Sequence, residues 1–104
     1  MGKLLHRLLY RALSLEGYLR VVSRLFFIAR ALGIGRRGRA LEYNYHLPQL
    51  LRRGDIAIDI GANLGYYTRP MADIVGVEGR VYAVEPVPVI FSVLERNVQG
   101  RKNV

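Results

Sequence analysis

The chain has 104 residues, 16 Lys and Arg against 8 Asp and Glu, and no cysteine. That length suits one small domain or part of a larger one, and the missing cysteines exclude a disulfide scaffold, a thiolate metal site and a cysteine nucleophile. The net charge of +8 is unevenly spread. Residues 1–53 carry 11 Lys and Arg against 2 Asp and Glu, a net +9, while residues 54–104 carry 5 against 6. The whole basic excess therefore belongs to the N-terminal half. A hydrophobic fraction of 51% with 23% charged residues reads as globular rather than disordered.

The longest strongly apolar uncharged run is Leu25–Ala29, bounded by Arg24 and Arg30. It is far short of the roughly 20 residues that a spanning helix requires. Arg7, Arg11 and Glu16 interrupt the early apolar stretch, so no export signal is read and a cytoplasmic location is expected.

Two amphipathic helices are expected in the basic half. Lys3, His6, Arg7, Arg11 and Ser14 fall on one arc of a helical wheel, and Leu4, Leu5, Leu8, Leu9, Ala12, Leu13 and Leu15 on the other. Gly17 is read as the break. From Tyr18 to Leu32 the face rotates, with Arg20, Ser23, Arg24 and Arg30 opposite Val21, Val22, Leu25, Phe26, Ile28, Ala29 and Leu32. Residues 33–39 read as a basic glycine linker. Three roles stand open for this half. The helices cap the following domain, they form a peripheral membrane contact through residues 3–39 on anionic lipid, or their arginines meet RNA. No aromatic–basic pattern of an RNA-binding module is present, which disfavours nucleic acid.

The near-neutral half reads as strand, glycine loop, helix, strand, helix. A short helix over residues 47–51, with Pro48 in its first turn, precedes a turn at 52–55. Residues 56–60, Ile-Ala-Ile-Asp-Ile, form a short apolar run suited to a buried parallel strand. Gly61, Asn63 and Gly65 belong to a tight loop in which positive φ is cheap. The next helix starts near Tyr67 or Thr68, because Pro70 is tolerated only in a first turn, and stops at Gly76. Residues 80–84 form a second strand ending at Glu85, and a last helix runs from Val89 to about Gln99. The fold class is α/β: a partial Rossmann-like unit, β-α-β-α of a doubly wound parallel sheet, preceded by N-terminal amphipathic helices. The expected division is 1–40 for the basic helical segment and linker and 41–104 for the cofactor-binding part.

The loop places a ligand at the carboxyl end of the first strand. Glu85, 20 residues beyond Gly65, suits a ribose diol, since a carboxylate accepts from both hydroxyls. The dinucleotide fingerprint G-x-G-x-x-G fails, with Asn63 and Tyr66 at its second and third glycine positions. Asp59 beside the loop repels a pyrophosphate and favours a phosphate-free ligand bearing an ammonium. S-adenosyl-L-methionine has a ribose, an ammonium and a sulfonium, so Asp59, Gly61, Asn63, Gly65 and Glu85 point to it rather than to NAD.

The stretch Gly54–Thr68, with its D-x-G-A-N-x-G-x-x-T string from Asp59, resembles the first motif of the FkbM-type methyltransferases, within the class I S-adenosylmethionine-dependent enzymes. Gly79–Pro86 followed by Pro88 resembles that family's second motif, and Leu94 and Asn97 also fit. Pro70 and Val87 are mild departures outside the core string. The resemblance covers about residues 47–104 and implies a seven-stranded Rossmann-like sheet and methyl transfer to a hydroxyl of a small molecule, lipid or glycan. It implies that Asp59, Gly61, Asn63 and Gly65 line the methionine side and that Glu85 holds the ribose. Such a domain requires roughly 150–250 residues, so the chain is expected to be the N-terminal part of a longer enzyme, inactive alone. No residue is assigned as a catalytic base, and His46 reads as a surface histidine. The alternative from another class is a non-enzymatic basic helical module for membrane or RNA, carrying a decayed Rossmann remnant.

Overall fold

The computed structural model describes residues 2–36 and 42–104. In chain order the elements are α1 (Lys3–Ala12), α2 (Leu15–Ala31), α3 (Glu42–Leu50), β1 (Ile56–Ile60), α4 (Thr68–Val75), β2 (Arg80–Val84) and α5 (Pro88–Asn97). The expected linker begins as turns over 32–36, and its remainder at 37–39 lies outside the described residues.

The break between the first two helices falls at Leu13 and Ser14, not at Gly17. Ser14 takes an extended conformation and its hydroxyl accepts from the Gly17 N–H at 3.2 Å. A serine oxygen satisfies one of the unpaired donors of a new helix, and Glu16 in the first turn complements its dipole. Gly17 is therefore inside α2. The helix before β1 also differs from expectation. It spans nine residues and carries Pro48 near its C-terminal end rather than in its first turn. The proline costs little there because Asn44 O, four residues back, accepts instead from Arg30 Nη2 at 3.3 Å. The interior proline is compensated from α2, a partner 14 positions away that helical periodicity does not disclose.

Strands β1 and β2 occupy the residues expected of them and pair in parallel, Ile56 with Arg80 through to Ile60 with Val84. Period-2 alternation sends Ala57, Asp59, Val81 and Ala83 to one face. Helix α4 covers that face with Thr68, Met71, Ala72 and Val75, the i, i+3, i+4, i+7 stripe of an amphipathic helix. Leu47 of α3 completes the cluster with Ala57, Met71, Ala72, Val75 and Val81, and Leu51, Ile74 and Val104 pack at its margin. Val75 and Val81 are fully buried, each contributing about 1.5–3 kcal/mol by removal from water. Gly79 is required where α4 meets the start of β2. A Cβ there would stand 2.5 Å from Val75 Cβ and 2.6 Å from Asp55 O.

The opposite sheet face is open, so β1 is buried on one face only and is not the buried strand that its apolar run suggests. Ile56, Ile58 and Ile60 are 72, 67 and 82% exposed, beside Tyr82 and Val84 at 52% each. Parallel sheets ordinarily carry helices on both faces. Among the described residues nothing pairs with the outer edge of β1. The outer edge of β2 is partly engaged, where the Val81 N–H donates to Asn103 O at 2.8 Å.

Helix α2 is docked on α5. Asn97 Nδ2 donates to the buried Ser23 hydroxyl at 2.9 Å, and Ser92 Oγ donates to Glu16 at 3.3 Å. Phe26 packs on Tyr66 with ring centroids 4.2 Å apart. Helix α1 has no buried residue and exposes Leu4, Leu5 and Leu8, touching α2 through the His6 and Tyr10 contacts with Tyr18. No helix among the described residues is long and apolar enough to cross a membrane.

Candidate functional site

The loop of residues 61–67 leaves the carboxyl end of β1 and enters α4. Its shape follows from three left-handed residues, Gly61 (φ 74°), Asn63 (φ 53°) and Gly65 (φ 89°). Asparagine tolerates that region better than other side-chain-bearing residues. Gly65 carries a second constraint, because a Cβ would lie 3.0 Å from Leu94 Cδ1 and within 4 Å of Val98 and Asn97. The loop is seated on α5, and only glycine permits both the turn and that approach.

Hydrogen bonds pin the loop to β2. The Gly61 and Ala62 N–H groups both donate to Val84 O at 2.9 Å, and Gly65 N donates to Ala62 O at 3.0 Å. Glu85, immediately after β2, accepts from Asn63 N through Oε1 at 2.9 Å and from Val87 N through Oε2 at 3.0 Å. A carboxylate offers about four lone-pair directions, so two remain for a ligand. The predicted ribose holder thus also fastens the loop that forms the other wall.

Asp59 lies on the α4 side of β1 and is half-buried. The hydroxyl of fully buried Thr68 donates to Asp59 Oδ2 at 2.5 Å. That bond orients the carboxylate and commits one oxygen, leaving Oδ1 for an outside donor. Thr68 ends the recognised string, yet its role as the anchor of Asp59 emerges only from the fold.

The structure brings Asp59, Gly61, Asn63, Gly65 and Glu85 to the carboxyl ends of two adjacent parallel strands. Two further residues hold the loop from behind. Asn97 Nδ2 donates to Leu64 O at 2.8 Å, and Asn44 Nδ2 donates to Tyr66 O at 2.7 Å, while Asn44 Oδ1 accepts from Arg30 Nε. Asn44 and its role were not read from the sequence, because a buried asparagine in a short helix has no periodic signature. Burial pushes the Tyr66 phenol above its usual 10.0, with Tyr18 adding to the rise. His46 is exposed on α3, away from the core.

This donor set fits a nucleoside that carries an amino acid better than a dinucleotide. It offers two carboxylates with acceptor capacity to spare, glycine-bared backbone between them, and the failed spacing of a pyrophosphate loop. No family model matches the chain, and no solved structure matches it. Among curated proteins it is similar to the protein-L-isoaspartate O-methyltransferase of Ignicoccus hospitalis, 47% identical over 38 residues, which is 36% of this chain and 18% of the relative. It is also similar to the protein of that name from Methanothrix thermoacetophila, 37% identical over 49 residues, 47% of this chain and 23% of the relative. Protein-L-isoaspartate O-methyltransferase 1 of Archaeoglobus fulgidus is 38% identical over 56 residues, 52% of this chain and 26% of the relative. The similarity thus spans about a fifth to a quarter of the curated relatives' length, and those relatives are O-methyltransferases by name.

Proposed function

We propose that the chain supplies the cofactor-binding part of an S-adenosyl-L-methionine-dependent methyltransferase that alkylates an oxygen. The observation that carries this is the pair of carboxylates at adjacent strand ends, Asp59 held by Thr68 and Glu85 held against Asn63. The names of the relatives support methyl transfer to oxygen.

In this reading Glu85 accepts the ribose hydroxyls with the lone pairs that the loop leaves free. Asp59 Oδ1 accepts from the ammonium of the methionine part. Gly61 keeps a side chain out of the path of the ligand, Gly65 lets the loop seat on α5, and Asn63 turns the backbone between them. The bound cofactor supplies an electrophilic methyl group on a sulfonium. The chain's contribution is to hold that group in line with an acceptor, and positioning is a large part of such catalysis. None of the site residues is assigned as a base.

The acceptor belongs to the proposal in its coarser form, an oxygen. The D-x-G-A-N-x-G-x-x-T string favours the FkbM-type subtype and a hydroxyl on a small molecule, lipid or glycan. The relatives' names instead specify isoaspartate in protein. The open face of Ile56, Ile58 and Ile60 and the unpaired edge of β1 suit a larger domain in which further strands and helices cover them. A thermal-shift comparison tests the cofactor reading. S-adenosylhomocysteine raises the midpoint with concentration, as a ligand of the folded state must, whereas NAD leaves it unchanged. A rise with NAD and none with S-adenosylhomocysteine contradicts the proposal.

A further inference from the structure

Away from the loop's ligand side, three helices bring five arginines to one cavity of about 260 Å³. Arg20 and Arg24 come from successive turns of α2, Arg69 from the first turn of α4, Arg96 from the last turn of α5, and Arg101 from the turn after it, with Asn97 between them. Among the described residues two carboxylates pair with these arginines, and both sit on pairs already made. Arg101 Nε meets Asp73 Oδ1 at 2.8 Å, and Arg96 Nε lies 3.8 Å from Glu16. Among the described residues Arg20 and Arg24 have no carboxylate partner, and the Arg69 guanidinium rests on the Phe27 ring, 4.4 Å from its centroid. The cavity thus carries a surplus of three positive charges.

Arginine cannot relieve such crowding by losing its proton at ordinary pH. Burial holds the Arg69 guanidinium below its usual range, with repulsion from Arg101 adding to the fall and Asp73 opposing it. What relieves the crowding is an anion with several oxygens. Guanidinium forks bind phosphate oxygens two at a time, and a phosphate with more oxygens and more charge than a carboxylate can engage several arginines at once.

We propose that this arginine cavity is a binding site for a phosphate-bearing anion of two or more charges, either a free phosphate compound or the phosphate headgroup of a lipid. The site is independent of the cofactor reading, and its ligand is held by α2, α4 and α5 rather than by the strand ends. Through Asn97, which also bonds Leu64 O and the Ser23 hydroxyl, the cavity wall is shared with the glycine loop's support.

Calorimetric titration of the full chain with inorganic pyrophosphate, at low ionic strength, tests the site. Binding is expected, weakened at least about tenfold in Arg20→Gln/Arg24→Gln. Removing two equal charges elsewhere, in Arg7→Gln/Arg11→Gln on α1, is expected to change it by less than about twofold. Circular dichroism confirms folding, and Arg24→Glu, at an exposed position, repeats the test should the double variant unfold. Co-sedimentation with phosphatidylcholine vesicles containing phosphatidic acid separates the two sources. Sedimentation that pyrophosphate competes away assigns a lipid headgroup, and pyrophosphate binding with no sedimentation assigns a free phosphate compound. Absence of pyrophosphate binding, or equal weakening by the α1 and α2 pairs, overturns the proposal.

Discussion

The Thr68 hydroxyl, fully buried at the start of α4, donates to Asp59 Oδ2 from nine residues further along the chain. It is the fixed point that ties the carboxylate of β1 to the helix entering behind the loop. Thr68→Val keeps the shape and removes the donor. A hydrogen bond to a charged group contributes about 1.5–3 kcal/mol, so chemical denaturation is expected to show a loss of that order. Affinity for S-adenosylhomocysteine falls about tenfold, one step of roughly 1.4 kcal/mol, because the Asp59 carboxylate loses its orientation. Unchanged stability and unchanged affinity would show that the bond has no such role.

Gly61 and Gly65 share positive φ but differ in surroundings. An alanine Cβ at position 61 meets nothing within 4 Å, while at position 65 it meets Leu94 at 3.0 Å. Gly61→Ala is expected to cost about 1 kcal/mol from backbone strain alone, and Gly65→Ala about 1–3 kcal/mol more, from strain plus overpacking. Urea midpoints of the two variants check the order. Equal losses would show that α5 yields freely to the loop.

Tyr66 gives a pH dependence with a definite sign. Its folded-state pKa lies above the usual 10.0, chiefly through burial. The associated stability is therefore fully present below pH 10 and is lost as pH rises from there through the folded value. Thermal melting of the wild type is expected to weaken over that alkaline range, more steeply than in Tyr66→Phe. Parallel curves for the two proteins would contradict this.

The open sheet face predicts self-association. Ile56, Ile58 and Ile60 form an exposed apolar row next to an unpaired strand edge, a recognised route to edge-to-edge pairing. Light scattering by the 104-residue chain is expected to rise with concentration, and Ile58→Lys to suppress the rise without lowering the melting midpoint. An equal rise in Ile58→Lys would move the association to another surface.

How much of this was legible in sequence follows from the range of the interactions. The strands at 56–60 and 80–84 and the helix from Thr68 were readable because β-branched runs, glycine turns and Pro70 are local signals. The convergence of Asp59, Asn63 and Glu85 could be drawn from spacing, because parallel pairing in register places strand ends side by side. The helix break is harder to read, because Gly17 interrupts the apolar pattern openly whereas the capping role of Ser14 depends on its extended conformation. The extent of α3 was missed because Pro48 reads as a helix start, and only Arg30 shows why it is tolerated near the end. Contacts such as Asn97 with Ser23, 74 positions apart, and the convergence of five arginines carry no periodic trace at all.

The central claim, that the strand ends of Asp59 and Glu85 hold S-adenosyl-L-methionine, is tested most directly by calorimetric titration of S-adenosylhomocysteine into the wild-type chain and into Glu85→Ala. The account predicts saturable binding by the wild type and a loss of at least about tenfold in the variant, where the ribose acceptor and the anchor of Asn63 disappear together. No binding by the folded wild-type chain, or equal binding by both proteins, would contradict it.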